Sequence, residues 1–479
     1  MNASPRIVAA AIGPFRLVIG GQPVAGASTM EVINPATGRA LVRCPRADLA
    51  QLNEAVASAK AAFPAWSRTP WAERRRLLLA LADAFTEQQE AFAHLMTLEQ
   101  GKPLAQARFE IGGAIFMIRT FADMTLEPRV LREDATQKIV QLHVPLGPVA
   151  AITPWNFPLI LLMIKVAPAL LAGNTVVAKP APTTPLTTLR FCELAASILP
   201  PGVLNAITDQ NDLGGALTQH PDIVKVAFTG STATGRKVMA SVARTLKRIT
   251  LELGGNDPAI ILPGTNIKDV APKIFMGAMI NAGQVCLAIK RVYAHESQYE
   301  ELCAELARLA QAAVVGDGLD PDTQIGPVQN RTQYEKLKDY LADAHARGKV
   351  IAGGKALDRD GYFIAPTIVR DIPDDARLVR EEQFGPVTPV MKYRDIDEAI
   401  ARANATEYGL GGTVWGNDLE LAFQVAARVE SGTVWVNKHL DLPPDVPFEG
   451  SKQSGMGAEM GVEGLAEFTQ PRVINLAKN

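Results

Sequence analysis

The stretch Asn281-Ala282-Gly283-Gln284-Val285-Cys286-Leu287-Ala288 sets one cysteine behind a glycine and a short polar residue, with apolar neighbours on both sides. A thiol attacks as its thiolate, and with an ordinary pKa of about 8.5 it needs a lowered pKa or a nearby base. A second stretch, Thr250-Leu251-Glu252-Leu253-Gly254-Gly255-Asn256, puts a lone carboxylate in an apolar run that ends in two glycines. A buried acid is costly there unless it has work to do. Nucleophile and base is the chemistry these two stretches suggest. Each residue alone has a plainer reading: Cys286 as a small core side chain, Glu252 as a paired structural acid.

Groups this far apart in sequence meet only on a rigid scaffold. Residues 15–45 read as a small sheet or hairpin broken by the turn sequence Asn34-Pro35-Ala36-Thr37-Gly38. Helical spacing follows over 48–62, 70–89 and 90–100, and again, after Gly101 and Pro103, to about Met124. Residues 138–144 alternate like a strand with one exposed face, which makes 125–145 a candidate oligomerisation arm. From there, apolar strands at 147–154, 173–180, 203–207 and 224–229 alternate with helices, one of them at 184–199, the pattern of a doubly wound α/β domain. At Gly230-Ser231-Thr232-Ala233-Thr234-Gly235 a strand gives way to a helix, where backbone N–H groups and the helix dipole favour an anion such as a pyrophosphate. The piece lacks the full GxGxxG fingerprint and the Lys-Ser/Thr of a P-loop, and taken alone a tight turn with an N-cap is the stronger reading.

A second α/β block starts near Asn256, with strands at 258–262 and 291–294 and helices at 270–281 and 298–314. Residues 316–390 are punctuated by Gly and Pro, with strands expected at 367–370 and 387–393. Residues 448–457 form a glycine-rich loop, and 473–476 read as an added strand.

The 479 residues exceed one ordinary core and call for two or three domains. With 48 basic and 50 acidic residues interspersed, the net charge of -2 leaves no footprint for nucleic acid. Cys44, Cys192, Cys286 and Cys303 are far apart, without CxxC or metal-ligand spacing, so no disulfide framework or metal site is expected, and reduced thiols fit a cytoplasmic protein. The apolar patch at 7–12 lacks the basic flank of a signal peptide, and the run at 159–171, interrupted by Lys165 and Pro168, falls short of the roughly 20 residues of a membrane span.

Seven pieces, in order, resemble the aldehyde dehydrogenase superfamily along nearly the whole chain: Thr153-Pro154-Trp155-Asn156-Phe157-Pro158, Val177-Ala178-Lys179-Pro180, Phe228-Thr229-Gly230-Ser231-Thr232, Leu251-Glu252-Leu253-Gly254-Gly255, Gly283-Gln284-Val285-Cys286, Glu382-Gln383-Phe384-Gly385-Pro386 and the loop from Pro447 to Gly457. The resemblance implies a Rossmann-like dinucleotide-binding domain (1–123 with 146–254), an α/β catalytic domain (255–446), and an oligomerisation arm with C-terminal segment (124–145 with 447–479). It implies oxidation of an aldehyde to the free acid: Cys286 forms a thiohemiacetal, the Asn156 amide and the Cys286 N–H hold its oxyanion, and Glu252 activates the water that releases the thioester. Glu459 and Lys165 are implied as a proton path beside Glu252.

For the cofactor, NAD or NADP with NAD slightly ahead, the resemblance implies Lys179 on the adenine-ribose side, Glu382 on the nicotinamide ribose and Phe384 against the nicotinamide. Thr153, Trp155, Gly230, Ser231 and Gly235 belong to the same cofactor site. Phe157, Leu161, Val285, Leu287 and Phe448 are the implied lining for the aldehyde, apolar and aromatic, while the loop 439–445 is more polar. The expected assembly is a homodimer or homotetramer.

Three departures stand out. Pro182 replaces a glutamate that often clamps the ribose in NAD-preferring members, which removes an obstacle to a 2′-phosphate, and Glu449 and Ala458 replace a glycine and an arginine in the C-terminal loop. A CoA-acylating relative would dispense with the glutamate base, and Glu252 is present. A non-catalytic relative would be free to lose Cys286, Glu252 or Asn156, and a cofactor-free cysteine hydrolase would need a histidine base that no motif places.

Overall fold

The centre of the molecule is built from strands whose every side chain avoids water. In the computed structural model, which describes residues 13–478, Pro148–Ile152, Thr175–Lys179 and Lys225–Thr229 are buried at all five positions. Such strands need cover on both faces, which is why helices intervene between them. The patch at 7–12 lies outside the described residues.

The first sheet has eight strands in the order Gln22–Val24, Leu17–Ile19, Leu204–Ala206, Thr175–Lys179, Pro148–Ile152, Lys225–Thr229, Arg248–Glu252 and Gly455–Met456. The inner five run parallel, and the strands beyond them at both edges are antiparallel to their neighbours. The chain winds outward from Pro148–Ile152 to Leu204–Ala206, then returns to the other side of Pro148–Ile152. That reversal opens a crevice beyond the carboxyl ends of the strands, where α/β sheets bind ligands. Thr153, Lys179, Gly230 and Glu252 all lie at those ends.

The second sheet has seven strands, with Asp257–Ile261, Ile289–His295, Val387–Tyr393 and Gly411–Trp415 at its centre, all parallel. A third sheet pairs Gln137–Pro145 with Arg129–Glu133 on one side and the nine residues of Thr469–Ala477 on the other, so the strand expected at 473–476 is longer than its apolar signal. The segment 447–479 therefore divides: Gly455–Met456 completes the first sheet while Thr469–Ala477 joins the arm.

The span 316–390 holds more than strands. Arg331–Arg347 is a 17-residue helix capped by Asn330, whose side chain accepts from Gln333 N. Its buried side, Leu337, Tyr340, Leu341 and Ala344, has helical spacing, but the charged residues between mask it in composition. Gly411–Trp415, which the sequence reading also passed over, begins with two glycines that look like a turn. Gly411 pairs with Thr433 in the strand, and it is glycine because a Cβ there would lie 2.4 Å from Asp257 Oδ2.

Candidate active site

The nucleophile segment starts where the helix Ile267–Met279 ends in a tight turn. Asn281, Ala282 and Gly283 have φ of 51°, 54° and 69°, a left-handed run disfavoured for side-chain-bearing residues. Gly283 is required there, since a Cβ would fall 2.3 Å from the Gly385 carbonyl oxygen. Asn281 is held by its side chain: Nδ2 donates to the Asn156 carbonyl at 3.0 Å, and Oδ1 accepts from Gln100 at 3.1 Å. The turn delivers Cys286, partly exposed, before the strand Ile289–His295. Burial pushes its thiol up to about 12, with Asp257, Glu382 and Glu252 adding to the rise and Lys290 opposing it.

Asn156 comes to the same place from the first sheet. One of its two Nδ2 hydrogens is spent on the Gln284 carbonyl at 3.0 Å, which leaves the other for a ligand. Its backbone is anchored by Lys102, whose buried ammonium donates to the Asn156 carbonyl at 2.9 Å and pairs with Glu110. Glu110 in turn accepts from the Leu159 and Ile160 N–H groups at 2.9 and 3.3 Å. The sequence reading missed Lys102 and Glu110, because a Lys and a Glu eight apart on the way into a helix look like ordinary surface charges.

Glu252 ends the strand Arg248–Glu252, is 4% exposed, and has a hydrogen-bond donor for neither carboxylate oxygen. Burial holds its carboxyl well above the usual range; Glu459 and Glu449 push the same way and Lys165 pulls against them. Lys165 bonds to Glu459 in a short contact and to Thr229 Oγ1 at 2.6 Å, so these two residues do meet beside Glu252. Thr229 is the direct strand partner of Glu252. Glu459 is placed by a two-way backbone pairing with Phe448, at 2.7 and 2.8 Å.

The crevice of the first sheet carries buried polar atoms without protein partners. Thr153 Oγ1 has none. Lys179 Nζ lies 2.7 Å from Asp209 Oδ1, yet that oxygen has no aligned donor. Ribose hydroxyls both donate and accept, and the set suits them. Asp209, fully buried just past Leu204–Ala206, was not anticipated.

Ser231 caps Thr232–Val242, accepting from Thr234 N at 3.3 Å. Gly235 lets that helix lie on Leu253, since a Cβ would stand 2.4 Å from Leu253 Cδ2, and at Gly230 a Cβ would meet the Phe228 ring at 2.5 Å. These two glycines are explained by packing.

Glu382 Oε1 accepts from Gly255 N at 3.1 Å and lies 3.5 Å from Lys290 Nζ. Phe384, at φ 52°, meets Trp155 edge to face with centroids 5.3 Å apart. The unexpected helix Arg331–Arg347 positions this segment: Gln333 Nε2 donates to the carbonyls of Gln383 and Phe384 at 2.8 and 3.0 Å.

Of the residues expected to line the aldehyde pocket, Val285, Leu287 and Phe448 are buried, with Phe157 and Leu161 half-buried against the same apolar cluster. Ile160, Ile280, Leu440 and Leu442 join them there. Leu287 packs toward Gly411 of the second sheet, and Phe157 lies under the Lys102 ammonium, 3.7 Å from its ring centroid.

The chain's likeness to known proteins agrees with this geometry. The profile of the aldehyde dehydrogenase family matches residues 23–474. The chain belongs to the aldehyde dehydrogenase family. This aldehyde dehydrogenase is 39% identical to phenylacetaldehyde dehydrogenase of Pseudomonas fluorescens over 500 residues, covering 100% of this chain and 99% of that protein. It is 38% identical to retinaldehyde dehydrogenase 3 of Rattus norvegicus over 453 residues, covering 92% and 88%. Among solved structures, betaine aldehyde dehydrogenase of Staphylococcus aureus in complex with NAD+ superposes with a TM-score of 0.96 at 32% identity, covering 99% of this chain and 98% of that one. A point mutant of an aldehyde dehydrogenase from Bacillus cereus gives 0.97 at 34% identity, covering 99% of each.

Proposed function

We propose that this aldehyde dehydrogenase oxidises an apolar aliphatic or aromatic aldehyde to the free acid, with Cys286 as nucleophile, Asn156 as oxyanion donor and Glu252 as general base. NAD, when bound, supplies the hydride acceptor. Cys286 gives up its thiol proton to water and attacks as the thiolate, so that Sγ bonds to the aldehyde carbon as the carbonyl π bond opens, and the free Nδ2–H of Asn156 holds the oxyanion, a donor worth about 3 kcal/mol of barrier. Loss of hydride from that carbon leaves a thioester on Cys286. Glu252 then takes a proton from water as the water oxygen bonds to the thioester carbon and the C–S bond breaks, which leaves the acid and the Cys286 thiolate, and the carboxylate of Glu459, held by Lys165, is the next acceptor for the proton on Glu252.

The observation that supports this reading is the buried carboxylate of Glu252, which has no hydrogen-bond donor on either oxygen. A carboxylate kept bare and basic suits water activation, and a thiol-acylating enzyme has no use for it. An aldehyde panel followed at the reduced-nicotinamide absorbance tests the reading. We expect Cys286→Ala to be inactive and Glu252→Gln to give a first burst of reduced cofactor followed by slow turnover. No reduction by any aldehyde, or a Cys286→Ala variant that turns over normally, would overturn it.

Asp209 supports NAD over NADP. It stands on the Lys179 ammonium, so that charge is already answered, and a 2′-phosphate arriving there would meet a carboxylate. The acid lost at Pro182 is thereby supplied from another strand end. Lys179, Thr153 and Asp209 would hold the adenine ribose, Glu382 the nicotinamide ribose, Trp155 and Phe384 the ring, with the Gly230 to Gly235 turn near the pyrophosphate.

We divide the chain into 1–123 with 146–254 for the cofactor, 255–446 for the catalytic cysteine, and 124–145 with 447–479 for the arm and C-terminal segment, of which Gly455–Met456 pairs with the first sheet. The exposed apolar residues Val130, Val473, Ile474 and Leu476 on the arm support a homo-oligomer, dimer or tetramer. All four cysteines are free, which suits the reducing cytoplasm, and no helix among the described residues is long and apolar enough to cross a membrane.

A further inference from the structure

Three consecutive carbonyls surround the nucleophile, and each accepts from a side chain. Lys290 Nζ donates to the Val285 carbonyl at 2.9 Å and, more closely, to that of Cys286. The Leu287 carbonyl lies 2.8 Å from His439 Nε2. Burial lowers His439 to about 4, so the ring is neutral, and a carbonyl partner places its one N–H on Nε2. The Lys290 ammonium is itself buried, 3.5 Å from Glu382 Oε1 and 6.0 Å from the Phe384 ring centroid. One cation therefore reaches both the backbone of the nucleophile and the acid that we assign to the nicotinamide ribose.

A buried ammonium is costly unless its surroundings answer it. Here the answer is two carbonyls, Glu382, and the field of Asp257. Asp257 is 1% exposed, with the Gly411 backbone N–H as the one donor set against its carboxylate. Burial raises its carboxyl to about 7, and Lys290 pulls it down. Nothing in the core packing calls for this set of charges. The strand Ile289–His295 is buried at its first six positions, Lys290 among them.

We propose that Lys290 is a positioning residue of the reaction: its ammonium fixes the backbone that carries Cys286 and steadies Glu382, tying the geometry of the nucleophile to the grip on the cofactor. The inference rests on the reading of Cys286 as nucleophile. Carbonyl oxygens held on Lys290 have their negative ends answered by its charge. Release them, and those dipoles are free to swing toward the forming thiolate. The cation also favours the thiolate directly, and Asp257 opposes it.

The test is alkylation of the full-length enzyme by iodoacetamide across about pH 6 to 10, with Cys286→Ala showing which thiol reports. Affinity for NAD+ is measured in parallel by fluorescence titration. Lys290→Met keeps the stem and deletes the charge; we expect alkylation near neutral pH to slow about tenfold, the effect of one pKa unit, and NAD+ to bind several times more weakly. Lys290→Arg should restore most of both. Asp257→Asn removes the opposing charge and should speed alkylation. Effects of opposite sign on one readout do not come from a loosened fold, and Asp257→Asn keeps the test alive if Lys290→Met does not fold. A Lys290→Met profile and NAD+ affinity that overlay the wild type overturn the proposal, as does an Asp257→Asn enzyme that alkylates no faster. Wild-type turnover by Cys286→Ala would instead sink the nucleophile reading, so the two failures are distinct.

Discussion

Glu252 carries its carboxyl well above the usual range because burial, then Glu459, disfavour its charge. An acid raised on folding binds more protons in the folded chain than in the unfolded one, so stability falls as pH climbs from the unfolded value of about 4.3 through the folded one. Glu252→Gln removes that titration. The variant should melt later than wild type above this window, by the equivalent of about 1–3 kcal/mol, with the difference fading toward pH 4. Parallel melting curves at every pH would show that Glu252 is not buried bare. Asp209→Asn should raise the NADP to NAD ratio of kcat/KM about tenfold, near 1.4 kcal/mol, by freeing Lys179 and removing a repelling charge. An unchanged ratio returns cofactor choice to Pro182 and its neighbours.

At the scale of elements, the site depends on joints as much as on strands. Asn174 is one. Fully buried, it accepts the Leu146 and Gly147 N–H groups at 2.7 and 3.0 Å and donates to the Ala169 and Phe468 carbonyls at 3.2 and 2.8 Å. It ties the entry to Pro148–Ile152, the helix Ile160–Ala172 and the chain leaving Gly461–Ala466 into one corner. Asn174→Ala leaves buried backbone groups without partners, and we expect a loss of about 2–3 kcal/mol in denaturant unfolding with catalytic constants little changed at low temperature. Gly235→Val tests a different joint. The added side chain meets Leu253, so Thr232–Val242 must lift from the strand end, and cofactor affinity should drop while the aldehyde KM moves less.

For the whole molecule, the arm decides assembly. Val473, Ile474 and Leu476 are 59%, 48% and 57% exposed on a strand paired along only one side. A surface of that kind finds a partner or aggregates. Ile474→Asp should shift the mass measured by light scattering to a smaller species without disturbing the first sheet, and an unchanged mass would move the interface elsewhere.

Much of this was legible in the chain. The five-residue apolar strands, the helical spacing between them and the turn after Lys225–Thr229 follow from local periodicity, which tertiary contacts reinforce. Cys286 and Glu252 stood out by residue type and setting, Asn156 entered through the family resemblance, and seven motifs in order carried the family. Lys290, Asp209 and Gln333 were silent, since each looks like an ordinary polar residue on a strand, loop or helix until its partner is known. Their meaning lies in contacts between segments far apart in sequence, such as Lys179 with Asp209 or Gln333 with Phe384, which no local pattern encodes. The sequence by itself determined the family and most of the strands and helices of the first sheet, and it nominated the groups proposed for the chemistry. Only the tertiary structure decided which charges stand beside them, because burial and distance, which set a buried group's charge, are properties of the packed chain.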